Sequence, residues 1–445
     1  MNPQSVTELR AFAIWWKDLD RWSPQSVRVS SWHWPPSVIK PLISALDRRC
    51  ELVDKKTFTL KPDHFLSLRF TGEVEIRNLH GKEDFKGTLF FAHAGDIIYS
   101  KIDVRNGAIG IVPSDVPLAT VTSEFPVYRI KKDVALAEYI RLVFRSNHFR
   151  RIINAMVSGA SGRKRVQPES LENVKIPLPP LPTQAAIVAR WRKSEEQRDS
   201  ARGQLQSVVQ SLNQRMWECY RSTSPVDVLA QRCFPVSWQY LEQWDGKSAR
   251  AVAYRLACPH FIPLSTFAAE ATELVRPWEE PDHQWPVFGV DNVTGVFFNQ
   301  HQQGGDFNAP YKRIKRDWFF HNPTRANVGS LGIVPEVPED AITSPEYQVW
   351  RITDDTPPGY VATLINTSFF LRLVDIHRVG AVKQRLYVEN LLRIVVPAQP
   401  AAFMTDIAER RAKALDAIDQ ARREALKSDM EIEALILGTK TVNGK

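Results

Sequence analysis

Cysteine is scarce. Cys50, Cys219, Cys233 and Cys258 are the only four in 445 residues, far apart and never in a C-x-x-C pair. That excludes a disulfide framework and a zinc finger, and it predicts a chain at home in a reducing compartment. Long apolar runs are missing too: no uncharged apolar stretch approaches the roughly 18 residues of a membrane span. The N-terminus, MNPQSVTELRAFAIWWKDLD, sets Glu8, Arg10, Lys17 and Asp18 where a signal peptide needs its apolar core. A soluble, cytoplasmic protein is expected. Catalytic signatures are also absent. Gly246-Lys247-Ser248 imitates the end of a phosphate-cradling loop, but Leu241 stands where its first glycine belongs. H-E-x-x-H, G-x-S-x-G and G-x-G-x-x-G do not occur, and no histidine stands at metal-ligand spacing from another histidine or cysteine. Asn322-Pro323-Thr324-Arg325 lacks the second proline and the aromatic of an amino-methyltransferase motif. No catalytic residue and no metal ligand is assigned.

What is present is an ordinary globular composition, 43% hydrophobic and 24% charged, with length for two or three domains. Lysine and arginine number 58 against 50 acidic residues, a net charge of +8 that favours a polyanionic partner. The order of residues says more. Slid along itself, the chain matches at an offset of 222, the distance from Trp16 to Trp238. Trp16, Leu19, Trp22, Ser26 and Arg28 return as Trp238, Leu241, Trp244, Ser248 and Arg250; AIGIVP from Ala108 returns as SLGIVP from Ser330, and EFPVYRI from Glu124 as EYQVWRI from Glu346. Further on the offset shrinks by one and then two, pairing Gly159-Ala160 with Gly380-Ala381 and Arg165 with Arg385, the drift expected of loop insertions and deletions. An ordered series of this kind is an internal duplication and implies a pseudo-twofold.

Each copy divides alike. An α/β-mixed unit combines short β-rich runs (LFFAHAGDIIYS, AIGIVP, FPVYRI) with one helical segment, in which Asp133 can cap and Leu136, Tyr139, Ile140, Val143, Phe144, Ile152, Ile153 and Met156 line one face before Gly159. A proline knot follows, IPLPPLP from Ile176 and VVPAQP from Val395, and then a long proline-free helix. The expected division is a first unit at 1–182, its helix at 183–222, a second unit at 223–400, its helix at 401–438, and a tail. Helices near 40 residues make rods on the order of 60 Å, longer than core helices. Ile187, Trp191, Leu205, Val208 and Leu212 on the first, and Ile407, Ile418, Ile432 and Leu435 on the second, fall on narrow stripes that suit two rods packed together, with polar surface left for a partner. The alternative is that each rod lies on its own globular unit. Trp16, Trp22, Trp238 and Trp244 are expected as core anchors. Basic residues gather in loops, Arg163-Lys164-Arg165 in GASGRKRVQ and Lys312-Arg313 in YKRIKRDW, where they can reach phosphates or guanine edges; a solvated charged loop is the alternative at each. Asn106 and Asn327-Val328-Gly329 read first as tight turns.

The string IPLPPLPTQAAIVARW, the upstream GASGRKRV and the second-copy FFHNPTRANVGSLGIVP closely resemble the specificity subunits of type I restriction-modification systems, and so does the duplicated unit-plus-helix plan. The resemblance runs from about Trp16 to Leu437. It departs from the family at the degraded second knot, at Ala185 and Ala186 where a Gln-Arg-like pair is usual, and in some 30 residues ahead of the first unit. It implies two α+β target recognition domains, each reading one half of a split, asymmetric DNA site. It also implies an antiparallel pair of spacer helices that docks two methyltransferase subunits, with nuclease-translocase subunits joining for phage defence. This chain would itself be non-catalytic, with S-adenosylmethionine and ATP on the partners. By the family's logic base-reading residues lie where the copies differ most, roughly Lys61–Phe91 and Gln284–Lys315. Lys82, Lys86, Lys101 and Arg105 in the first unit and His301, Lys312, Arg313 and Arg325 in the second are expected to approach DNA. Arg163, Lys164, Arg165, Lys383 and Arg385 are expected on phosphates. The competing readings are a stand-alone DNA binder or scaffold, and a diverged DNA-modifying enzyme.

Overall fold

The computed structural model describes residues 32–59, 61, 64–77, 87–116, 118–156, 165–224, 226–241 and 244–442. Trp16, Trp22, Lys82, Lys86, Arg163 and Lys164 lie outside them. Two compact units divide the chain, one of residues 1–197 with 422–445, the other of residues 198–421.

In the first unit the chain forms β1 (Ile39–Pro41), β2 (Leu46–Arg49), β3 (Leu66–Leu68), β4 (Val74–Ile76), β5 (Leu89–His93), β6 (Ile97–Tyr99), β7 (Ile109–Ile111), β8 (Leu118–Thr122) and β9 (Val127–Ile130). Helices α1 (Ala137–Arg145), α2 (Asn147–Met156) and α3 (Pro168–Glu172) lead to β10 (Lys175–Pro177) and the long α4 (Leu181–Thr223). The second unit runs α5 (Gly246–Ala257), β11 (Ile262–Pro263), β12 (Ala268–Glu270), β13 (Leu274–Val275), β14 (Gln284–Asp291), β15 (Gly295–Gln303), β16 (Tyr311–Arg313), β17 (Phe319–His321), β18 (Leu331–Ile333), β19 (Ile342–Thr343) and β20 (Gln348–Ile352). Then come α6 (Pro358–Leu364), α7 (Ser368–His377), α8 (Val388–Leu392), β21 (Val395–Val396) and the long α9 (Ala401–Leu437).

The duplication is visible in the hydrogen-bond register. Antiparallel sheet β2-β9-β6-β7 returns as β12-β20-β17-β18, and β6 and β17 are buried at all three positions, as fits the inner strands of a covered sheet. In the first copy Leu52 bridges Phe90 and Phe65 bridges Thr120 in parallel; in the second, Leu274 pairs with Lys312 and Val287 with Ile342, each pair shifted by 222. The β3–β4 hairpin has three-residue strands. Its counterpart β14–β15 runs eight and nine residues and completes a five-stranded sheet, β13-β16-β19-β14-β15. The copies therefore share one sheet and elaborate the other differently. Each unit is clipped shut where its entering strand pairs with the strand before the long helix, β1 with β10 and β11 with β21. The proline knots suit this place, because an edge strand and a helix's first turn both tolerate a missing N–H.

Ile187 and Val188 from the start of α4 join Ile432, Leu435 and Ile436 from the end of α9 in the first unit's core. Val208, Leu212 and Met216 from the end of α4 join Ile407 from the start of α9 in the second. The two long helices thus run antiparallel, and their apolar stripes are anchored on the units themselves. At the end of α9, Trp34 Nε1 donates to the Ile436 carbonyl (2.8 Å) and the His33 amide to that of Leu437 (2.8 Å).

Three expectations are corrected. The single helix after Asp133 is two, α1 and α2, parted at Ser146, whose ψ is 143°. Ser146 Oγ donates to the Val143 carbonyl and accepts from the Phe149 amide, so one hydroxyl ends one helix and caps the next. Thr367 does the same between α6 and α7, with Leu364 and Phe370 as partners. Nor does Asp133 cap α1. The first turn begins after Leu136 with no cap from its own side chain, and the buried Gln184 of α4 accepts from the Leu136 amide (2.9 Å) and donates to the Val134 carbonyl (2.9 Å). Finally, Trp238 and Trp244 are not core anchors: they are 74% and 85% exposed. Trp238 opens a short 3-10 turn that buries nothing, and Trp244 directly precedes Asp245, the N-cap of α5.

Candidate nucleic-acid interface

In both units three chain segments are stitched into one polar, basic corner. In the first, the turn after β6 carries Lys101 and the exposed Arg105 and closes on Gly107, whose φ is 100°. The Lys101 amide donates to the Glu124 carbonyl (3.0 Å), the Lys101 carbonyl accepts from the Val166 amide (2.8 Å), and the Arg165 guanidinium stands 3.3 Å from the Glu124 carboxylate. In the second, the Leu386 amide donates to the Pro323 carbonyl (2.9 Å), and Arg385 stands 3.8 Å from Glu346. The ion pair and the bond closing the corner thus recur in the duplication. Val379 and Arg385 exchange amide-to-carbonyl bonds of 2.8 Å, closing a small loop that presents exposed Lys383. Arg325 lies exposed beside the tight turn 326–329. Asn106 and Asn327 sit in these turns, as their glycines at 107 and 329 suggest.

Lys312 and Arg313 take a different course. On β16, Lys312 turns inward and Nζ donates to the Tyr347 carbonyl (2.7 Å); burial lowers its pKa. Arg313 Nη1 donates to the Glu339 carbonyl (2.9 Å) while its guanidinium lies 5.7 Å from the Trp285 ring centre. His301 is exposed on β15, its ring 4.9 Å from that of Phe298. Sequence reasoning passed over the neighbours of His301. Asn299, Gln300 and Gln303 are all exposed on β15, which forms the edge of the five-stranded sheet. Amide side chains carry a donor and an acceptor together, the pair needed to read an adenine edge. The signal was the run FNQHQQ, polar at consecutive positions where a half-buried strand alternates.

On the long helices, Ile187, Val208, Leu212, Ile407, Ile432 and Leu435 are buried in the cores, and Trp191, Leu205 and Ile418 are half-buried. Their open apolar surface comes instead from Leu415, Leu426 and Met430. Among the described residues no group of three or more His, Cys, Asp or Glu side chains is placed to hold a metal ion, and no helix is long and apolar enough to cross a membrane.

Part of the chain is similar to known proteins. Residues 63–208 match the family described as type I restriction modification DNA specificity domain. Two Escherichia coli proteins, the specificity subunits of the type I restriction enzymes EcoAI and EcoEI, are 29% and 28% identical over 167 and 166 residues, 36% of this chain. The matched stretch spans 27% of the length of each relative. Among solved structures, the HsdS subunit from Thermoanaerobacter tengcongensis aligns over 91% of this chain and 95% of its own at 15% identity and a TM-score of 0.32. The type I S subunit from M. genitalium aligns over 90% and 94% at 11% identity and 0.43. Over residues 63–208, the chain is thus similar to the type I restriction modification DNA specificity domain.

Proposed function

We propose that the chain is the sequence-specific DNA recognition subunit of a type I restriction-modification system, acting in the cytoplasm without catalysis of its own. The observation that carries this reading is the duplication itself: one sheet is kept in both copies while the second sheet, with its polar edge, differs. Two such units suit a DNA target of two unlike halves. Each half-site would be read in the major groove, the two about one helical turn apart with an unread spacer between. The amide-rich edge of β15, with His301, is the base-reading candidate of the second unit. The basic corners, with Arg165 in one and Arg325, Lys383 and Arg385 in the other, would track phosphates. Lys312, tied to a carbonyl, is withdrawn from the set.

The antiparallel helices would serve as spacer and as dock for two methyltransferase subunits, through Leu415, Leu426, Met430 and the polar face. S-adenosylmethionine and ATP would reside on the methyltransferase and nuclease-translocase partners. The decisive experiment is to purify the tagged chain from its native cell and count what accompanies it. Two copies of an adenine methyltransferase per chain are expected; a chain that emerges alone would return the helices to a purely structural role. Alanine at Arg163, Lys164 and Arg165 is expected to weaken binding to every duplex and to flatten its salt dependence, by about 0.9 in log–log slope for each phosphate no longer neutralised. A loss confined to the cognate site would contradict the assignment.

A further inference from the structure

The β14–β15 hairpin carries one residue more than its ladder uses. From Gln284 opposite Gln303 to Val287 opposite Gln300 the pairing advances residue for residue, but the next pair is Phe288 with Phe298, so Asn299 stands opposite nothing. This is a β-bulge, which leaves its extra residue outside the ladder and re-aims the side chain. The fold does not require it. In the first copy Leu66 and Ile76 pair at the place of Phe288 and Phe298, and the Arg77 amide donates directly to the Phe65 carbonyl (2.7 Å), with no residue inserted. Nor does packing hold it: Asn299 is exposed, and its side-chain amide has no hydrogen-bond partner among the described residues.

The bulge sets that amide in a polar and aromatic surface. Directly opposite residues of an antiparallel ladder share a face, and so do alternate residues of one strand. Phe298, His301 and Gln303 stand opposite Phe288, Pro286 and Gln284 and so form one row. Three residues apart on a regular strand, Phe298 and His301 would lie on opposite faces; the bulge brings them together, with ring centres 4.9 Å apart. Phe298 leans on the buried Phe288 ring (5.7 Å) and is still 48% exposed. β15 is the edge of its sheet and has no carboxylate from Gly295 to Gln303 to repel a phosphate backbone. A two-stranded ribbon fits the major groove of B-DNA, where an asparagine side chain pairs with adenine N6 and N7 and an apolar ring packs on the thymine methyl.

We propose that Asn299 reads an adenine, with Phe298 on an adjoining thymine methyl, so that the half-site of the second unit contains an A·T pair. This rests on the DNA-recognition reading and adds to it a base and the residue that selects it. The test is to incubate the full chain with duplexes randomised over a split site and to sequence the bound fraction. The parent should enrich a split consensus. Asn299→Ala should lose the preference for adenine at one position of one half, by roughly 5- to 150-fold, the worth of a bidentate amide–adenine pair, and keep every other position. Deleting Asn299 leaves each ladder pair in place, so that variant should unfold at the parent's temperature and relax the same position; should it fail to fold, Asn299→Ala decides alone. Deoxyuridine in place of the adjoining thymine should weaken binding by the parent and leave binding by Phe298→Ala unchanged, and equal weakening of both overturns the role of Phe298. Relaxation at a G·C position overturns the adenine assignment. A consensus unchanged in Asn299→Ala overturns the proposal and leaves DNA recognition standing. A parent that enriches no sequence at all overturns the DNA-recognition reading and this proposal with it.

Discussion

The two copies solve one problem with different side chains. Tyr99 and His321 occupy equivalent places at the end of the inner strand, and both bond an equivalent carbonyl: Tyr99 Oη donates to Val166 (3.1 Å), and His321 Nε2 pairs with Leu386 (2.9 Å). Tyrosine carries no penalty at low pH; histidine does. Burial holds His321 down to about 4 against its ordinary 6.5, and burial does the same to His148 and His377. A folded pKa below the unfolded one means the unfolded chain takes up a proton that the native chain refuses. Stability is therefore complete above about pH 6.5 and is lost as pH falls from there towards 4, by on the order of 3 kcal/mol for a fully buried imidazole. Melting temperatures followed across this window should fall less steeply in His321→Gln than in the parent, whereas equal steepness would mean that the loss originates elsewhere. Residue-scale outcomes were the least legible in the sequence. The inward turn of Lys312 depends on a carbonyl 35 residues away, the cap of α1 depends on Gln184, 48 residues away, and neither distance leaves a local pattern.

Elements were legible where their signals are local and periodic. The proline knots, the long helices and the runs that became β7 and β9 follow from spacing alone. The break at Ser146 was not, because apolar residues resume beyond it at Phe149, Ile152 and Ile153 and the stop is made by a single serine hydroxyl. Turns show how finely the duplication has kept backbone while changing residue. Gly95, with φ 83°, and Asp317, with φ 63°, are equivalents, and among the described residues Asp317 is the sole non-glycine with positive φ. Their amides make the same bond, to Val112 (2.9 Å) and to Val334 (3.0 Å). A Cβ at Gly95 meets nothing within 4 Å, so Gly95→Asp should destabilise by no more than about 1 kcal/mol, the modest strain of a left-handed aspartate. Gly107 has a comparable φ of 100°, but a Cβ there would lie 2.4 Å from the Phe70 carbonyl oxygen. Gly107→Ala should destabilise by roughly 2–4 kcal/mol, strain and clash together. Denaturant midpoints of the two variants separate the contributions, and equal losses would show that φ, not the neighbouring Phe70 carbonyl, sets the cost.

On the scale of the whole molecule, the division of each long helix between the two units is the feature with the most consequence. Residues 1–197 share a unit with 422–445, and 198–421 form the other, so the chain passes from one unit to the other within α4 and again within α9. Under the proposed function, a change in the length of these helices must then appear in the DNA sequence recognised. Removing seven residues from each, around 194–200 in α4 and 418–424 in α9, keeps the apolar stripes in phase, because seven residues restore the same helix face. It shortens each rod by about 10 Å at 1.5 Å per residue. At about 3.4 Å per base pair, that corresponds to a spacer shorter by about three base pairs. Neither half-site should change, because no residue of either recognition sheet is touched. Mapping methylated adenines in cells that carry the shortened chain reads all three quantities at once. A shortened spacer between unaltered half-sites would establish the helices as the ruler. An unaltered spacer would mean that the two half-sites are positioned by the partner subunits, and that the helices serve only to join the units.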